Sequence, residues 1–230
     1  MKPFSKWTIA EVEDTFNINN RKHQKRLTQW LNETVPLTPA EENQLTGFRD
    51  KLQDHVWDWN EWELKGKFIF PLLLAVNFDE EQYQSFMERE ISVEIDNDTL
   101  SGIADFFVAS GKRYPKHPYF FIHEFKKEHD SSGDPLGQLL ITMVAAQKLN
   151  NDLNPIYGCY VMGRLWFFVV LEGLDYSTSL AYDATKDDIF EIFRLLKKTK
   201  GMISKIITSS QSTTAPNTEK PTQEQRIINQ

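Results

Sequence analysis

The run Tyr119-Phe-Phe-Ile-His-Glu-Phe-Lys126 limits the fold more than any other stretch of the chain. It is rich in aromatic residues and apolar until its last positions, which fits a strand near the centre of a sheet, covered on both faces. The neighbouring segments supply a sheet around it and helices to cover it. Upstream, Ile91-Ser-Val-Glu-Ile95 alternates, Asn97-Asp98 supplies a turn, and Gly102–Ala109 alternates again through Ile103-Ala-Asp105-Phe-Phe-Val108. Residues 110–118 carry loop composition. Downstream, Asp134-Pro135 caps a helix through Leu149. Ile156–Met162 and Leu165–Leu171 then flank a Gly163-Arg164 turn as a hairpin. A short strand at Ser177–Tyr182 leads into a helix from about Asp187 to Ile207. The expected architecture is a mixed α/β layer, a sheet with helices packed against it.

Residues 1–60 read as polar helices. Thr8-Ile-Ala-Glu11 has capping-box spacing and opens a helix over Val12 and Phe16. Leu27, Trp30 and Leu31 sit at helical spacing. Thr38-Pro39-Ala40-Glu41 places an N-cap threonine, a first-turn proline and a glutamate three residues on, ahead of the stripe Leu45, Phe48, Leu52 and Val56. Asn60 starts a further helix through Phe68, Leu72 and Val76, with a bend expected at Pro71. Three segments follow: a helical N-terminal appendage over 1–55, an α/β domain over 56–207, and a disordered tail over 208–230 composed of Ser, Thr, Gln, Asn and Pro.

Composition closes several possibilities. The single cysteine, Cys159, excludes an intramolecular disulfide and a thiolate zinc cluster, and fits a reducing cytoplasm. The amino terminus has no apolar stretch of the signal-peptide kind, and the longest apolar runs, Phe68–Val76 and Leu165–Leu171, are too short to span a membrane. A formal charge of −7 argues against indiscriminate polyanion binding but leaves room for a local basic groove. Nothing resembles a Gly-rich phosphate loop, so no motor is built in.

The chemistry-bearing set is Asp105, Glu124, Lys126 and Gln138. Glu124 and Lys126 are two apart on one strand, so both leave the same face, roughly 6.6 Å apart at the backbone. Phe120 and Ile122 precede them on that face, which turns from apolar to charged at the strand's carboxyl end. Asp105 lies on a neighbouring strand. If the strands pair, its carboxylate reaches Glu124, and two such groups raise each other's pKa unless a cation neutralises them. A hard divalent ion such as Mg²⁺ suits these oxygen donors.

This constellation resembles the PD-(D/E)XK nuclease superfamily, carried by Gly102-Ile-Ala-Asp105, Glu124-Phe-Lys126 and Gln138 at the start of the following helix. Within it the chain is similar to the nuclease domain at the N-terminus of type I restriction enzyme R subunits. Glu61 ahead of Phe68-Ile-Phe-Pro71-Leu-Leu supports this, as do Tyr157-Gly-Cys-Tyr and Arg164-Leu-Trp-Phe-Phe. The resemblance covers about 55–207 and implies a restriction-endonuclease-like mixed β-sheet core flanked by helices. It also implies a Mg²⁺-dependent nuclease, with Mn²⁺ as a substitute, acting on DNA in restriction, defence or repair. Asp105 and Glu124 would ligate the ion, with the Phe125 backbone carbonyl as a further ligand. Lys126 would act on the attacking water, Gln138 would orient that water or a phosphate, and Glu61 would be an acidic helper. Ala104 stands where a proline precedes the aspartate in many members.

Other features read as structural. Glu63-Leu-Lys65 repeats the Glu-x-Lys spacing on a helix, where the two side chains face different ways and a solvated surface is expected. Glu63 also fits a capping box with Asn60. Glu128 and Asp130 read as loop charges, His123 as a core histidine, and Trp57, Trp59 and Trp62 as packing around the first core helix. Two basic stretches could meet a phosphate backbone: Lys112, Arg113 and Lys116 with Lys126-Lys127, and Arg194, Lys197, Lys198, Lys200 and Lys205. The first is favoured for its closeness in sequence to Glu124. The second is explained by the helix dipole. The rival reading is a catalytically silent nuclease-fold protein that binds protein or DNA, with a protein partner held through residues 1–55. A homodimer is compatible with either.

Overall fold

The computed structural model describes residues 2–32, 34–95, 98–126 and 133–213. The expected α/β layer is present, built on an eight-stranded mixed sheet. A short 3₁₀ turn at Phe4–Lys6 precedes α1 (Ile9–Phe16), β1 (Asn19–Asn20), α2 (Lys25–Asn32) and α3 (Pro39–His55). The remaining order is α4 (Glu61–Leu64), a π turn (Lys65–Ile69), α5 (Phe70–Val76), β2 (Tyr83–Ile95), β3 (Asp98–Ser110), β4 (Lys116–Lys126), α6 (Pro135–Asn150), β5 (Ile156–Met162), β6 (Leu165–Glu172), β7 (Asp175–Thr178), β8 (Tyr182–Asp183) and α7 (Asp188–Thr213).

Across the sheet the strands run β1-β7-β6-β5-β4-β3-β2, with β8 added to β6. The β2–β3, β3–β4, β5–β6 and β6–β7 pairs are antiparallel, whereas β4 and β5 are parallel, joined by α6. That central parallel pair is where both faces must be covered. Period-two alternation divides it between two cores. Tyr157, Cys159 and Val161 of β5 face a core with α2, α3, α5 and α7, while Ile156 and Tyr160 face another with α1 and α6. Gly158 faces α6 closely, with the Met143 sulfur and Leu139 against its backbone.

The N-terminal segments supply part of both layers. Phe4, Trp7 and Val12 are buried with α6, and Leu27, Trp30, Leu45 and Leu52 with α7. The capping boxes at Thr8 and Thr38 form as their spacing predicts. Asp134 ties two helix starts together. One carboxylate oxygen accepts from Gly137 N–H at 2.9 Å, and the other from Ile9 N–H of α1 at 2.8 Å.

Several boundaries differ from expectation: the strand expected at Ser177–Tyr182 is two short ones, β7 and β8, and β4 begins at Lys116, inside the segment with loop composition. The bend near Pro71 takes the form of the π turn, in which Phe70 N–H bonds the Lys65 carbonyl five residues back. Pro71 has no N–H to continue the tighter ladder, and it stands in the first turn of α5, where none is needed. Strands β2 and β3 each extend to thirteen residues, because their polar positions lie on an outer strand pair that holds one register along its length, interrupted only at Glu88. Helix α7 continues through Thr213, six residues into the segment expected to lack structure, while 214–230 fall outside the described residues. No helix among the described residues is long and apolar enough to cross a membrane.

Candidate active site

Strands β3 and β4 pair as far as Phe106 opposite His123. Continuing that register sets Asp105 opposite Glu124, on the same face. The ladder stops here, and the Asp105 side chain takes its place: one carboxylate oxygen accepts the Phe125 backbone N–H at 3.1 Å. The carboxylate thus bridges two strands that have begun to separate, with Glu124 beside it. From α6, the Gln138 amide nitrogen donates to one oxygen of Glu124 at 2.8 Å. The other Glu124 oxygen is buried and receives no N–H or O–H donor, with the Asp105 carboxylate, itself an acceptor, as its polar neighbour; the residue is only 1% exposed. Burial, then repulsion from Asp105, pushes the Glu124 carboxyl well above its ordinary pKa, and the positive charges of Lys126 and Lys65 only partly oppose this.

The sequence set Lys65 aside as a solvated surface residue. Instead it is 5% exposed and enters the site from the π turn. Its ammonium contacts Asp105 at 2.9 Å, Glu88 at 3.1 Å and Glu61 at 3.1 Å. It also lies over the Phe125 and Trp62 rings, 4.8 and 5.4 Å from their centres. Burial lowers the Lys65 pKa, but the three carboxylates, Asp105 first, outweigh it and leave the ammonium above its ordinary value. A sequence signal existed. Lys65, Phe68, Leu72 and Val76 follow i, i+3, i+7, i+11, so the lysine continues the buried stripe, and Glu61 lies one turn ahead of it.

Glu88 carried no comparable signal. Its φ of 50° is left-handed within a strand, a costly conformation for a residue with a side chain. Pairing with β3 holds the same register on either side, Met87 opposite Phe106 and Arg89 opposite Ala104. The distortion is therefore confined to the residue whose carboxylate meets Lys65.

The structure therefore brings together Asp105, Glu124, Gln138 and Glu61 from the sequence-derived set, with Lys126 near enough for its charge to act on Glu124. Phe125 contributes its N–H to Asp105 and its ring to the opposite core. Glu63 caps Asn60 and pairs with Lys67, as its spacing predicts. His123 lies on the far face among Phe106, Phe121, Phe125 and Trp166, and burial alone drives its pKa down to about 3.

Four further expectations require correction. Phe120 joins the helix-covered core of α5 and α7 rather than the face of Ile122, because the β3–β4 register shifts between Val108 and Ser110. Lys116 lies at the opposite end of β4 from Glu124: it pairs with Ser110, five residues along β3 from Asp105 and about 17 Å away, and Lys112 and Arg113 lie in the loop before it. Closeness in sequence misled because a strand carries its ends far apart. Lys127, Glu128 and Asp130 lie outside the described residues. Trp59 is packed as expected, but Trp57 and Trp62 are 59% and 71% exposed. The α7 cations have structural partners: Arg194 pairs with Glu191, Lys197 with Glu41, Lys200 with Glu80, and Lys198 donates to the Trp30 carbonyl.

The donor set suits a hard divalent cation. Four carboxylates (Glu61, Glu88, Asp105, Glu124) face two ammonium groups (Lys65, Lys126), a formal excess of two negative charges. One Glu124 oxygen is left without a partner. Among the described residues no three acidic, imidazole or thiolate side chains form a ready-made cage, and an ammonium sits on Asp105. The chain matches no protein-family model and no curated protein.

Proposed function

We propose that the chain is a divalent-cation-dependent nuclease of the PD-(D/E)XK type that hydrolyses DNA phosphodiester bonds, with Mg²⁺ as the physiological ion and Mn²⁺ as a substitute. The observation that carries this reading is the buried, half-satisfied carboxylate of Glu124 beside Asp105 at the point where two strands separate. A fold gains nothing in stability from an unpartnered carboxylate there.

Asp105 and Glu124 would hold the ion, which would supply Lewis acidity and charge neutralisation at the phosphodiester. Gln138 fixes the Glu124 rotamer through its amide. The Phe125 N–H does the same for Asp105, so neither carboxylate has to be reorganised. Lys126, on the same strand face as Glu124, is positioned to orient an attacking water or to offset charge developing on the phosphoryl oxygens. Exposed Trp62 borders the site and offers a face on which an unpaired base can stack.

Incubating the protein with linear and plasmid DNA in Mg²⁺ or Mn²⁺ tests the reading. Cleavage should appear with the wild type and disappear in Asp105→Ala, Glu124→Ala and Lys126→Ala. Cleavage unaffected by these substitutions would refute the assignment. The silent binding-module reading is favoured by one observation, the engagement of both Asp105 oxygens, by Lys65 and by Phe125 N–H. Failure to bind Mn²⁺ at millimolar concentration would decide for it.

A further inference from the structure

Lys65 is the feature that the proposed chemistry leaves unexplained. A surface ion pair contributes little to stability, and a buried one is no better than a hydrophobic replacement. Yet two departures from regular structure meet at this contact. The π turn begins at Lys65, and the left-handed residue within β2 is Glu88. Both irregularities converge on one ammonium, which rests 2.9 Å from the carboxylate expected to bind the ion. Meanwhile the neighbouring carboxylate, Glu124, has a buried oxygen with no donor.

We propose that Lys65 is a resident counter-cation that competes with the divalent ion for Asp105: the ammonium holds the acidic cluster together when the ion is absent, and it must leave Asp105 for the ion to bind. This rests on the nuclease reading for the identity of the ion's ligands. Lys65 acts through Asp105 and is therefore a positioning residue. On leaving, the ammonium keeps Glu61 and Glu88 as partners, both more exposed than Asp105, with side-chain accessibilities of 33%, 39% and 14%. Ion affinity would accordingly be weaker than the donor set alone provides. Bringing a further negative group to the site, such as a phosphodiester that could take up the ammonium, would strengthen it.

The test is calorimetric titration of Mn²⁺ into the intact protein without DNA, for the wild type, Lys65→Met, Lys65→Gln and Lys65→Arg. Removing a unit charge within about 3–5 Å of the ligand should tighten Mn²⁺ binding by about tenfold or more in the Met and Gln variants. Arg, which keeps the charge, should leave affinity within a few-fold of the wild type. Apparent melting temperature gives a second readout, since the neutral variants should be less stable in chelator and gain more from Mn²⁺ than the wild type. A neutral variant that folds only with Mn²⁺ also supports the proposal. If both neutral variants fail to fold even with Mn²⁺, or bind it no more tightly than the wild type, Lys65 is a structural ion-pair residue and the proposal is overturned. If neither the wild type nor any variant binds Mn²⁺, the nuclease reading itself fails. DNA cleavage by a wild type whose neutral variants show no tightening would leave that reading intact and remove only the counter-cation.

Discussion

Replacing Glu124 with glutamine should stabilise the ion-free protein while abolishing its proposed activity. The amide keeps the shape and can still accept from Gln138 through its oxygen, and its nitrogen can donate to Asp105. What disappears is an ionisable group that is 1% exposed, adjacent to a second carboxylate and lacking a donor on one oxygen, so that at high pH the fold must either bury its charge or retain its proton. Leaving a buried polar atom unsatisfied costs about 1–3 kcal/mol, and more when it is charged, so a gain of about 2 kcal/mol is expected at pH 8. In a chain of this size that corresponds to about 4–8 °C in Tm.

The gain should depend on pH in a defined direction. The Glu124 carboxyl has a folded pKa above its unfolded value of 4.5. Its contribution to stability is complete below that value and is lost as pH rises through the folded pKa. At pH 5 the native wild type holds the proton and resembles the amide, so the two proteins should unfold at similar urea concentrations. At pH 8 their midpoints should separate, with Glu124→Gln the more stable. Urea titrations in EDTA at both pH values measure this, and repeating them with Mn²⁺ should reverse the order, because only the wild type retains both ligands. A variant less stable than the wild type at pH 8 in EDTA would refute the reasoning. So would a difference that does not change with pH, since either result would make Glu124 an ordinary partner of Gln138.

Trp62→Ala should weaken binding of single-stranded oligonucleotides by about 1–3 kcal/mol, with Trp62→Phe intermediate and duplex affinity little changed, as read by anisotropy in Ca²⁺. Gly137→Ala should destabilise by about 1–3 kcal/mol, because the added methyl would lie 2.6 Å from the Trp7 carbonyl and 2.7 Å from Ile9 nitrogen. Limited proteolysis should then cut the first eighteen residues sooner. His123→Phe removes two buried nitrogens without partners and should raise stability by about 1–2 kcal/mol at pH 7. The advantage should widen by about 2 kcal/mol at pH 5, because the unfolded wild-type histidine protonates near 6.5 while the folded one stays neutral to about 3. Urea midpoints at the two pH values check this.

What the sequence made legible were features carried by local periodicity and caps. Thr8, Thr38 and Asp134 each mark a helix start that the structure contains, and Gly163-Arg164 marks the turn between Ile156–Met162 and the strand it pairs with as a hairpin. Asp105, Glu124 and Gln138 were found because they lie on regular elements whose side-chain directions follow from period two and period 3.6. Lys65 escaped because it was judged from the Glu-x-Lys motif it shares with Glu63 and not from the apolar stripe it continues. Glu88 could not be found that way, since its direction depends on a backbone angle that no alternation encodes.

This contrast indicates how the site is assembled. Regular structure delivers Glu124 and Gln138 to a common place, but an uninterrupted sheet would have left Asp105 opposite Glu124 with only a ladder between them. The ladder ends one residue earlier, the Asp105 carboxylate takes over the Phe125 N–H, and the left-handed Glu88 and the π turn bring two further groups to the same point. Each irregularity forfeits some backbone regularity, and each faces the same few ångströms. Left-handed residues also occur at Asn17, Asn77 and Asn151, but those end helices, where asparagine accepts that conformation, whereas Glu88 lies inside a strand and has Lys65 as its partner. Under the nuclease proposal, an ion bound at Asp105 would offset part of what this irregular backbone costs the empty fold.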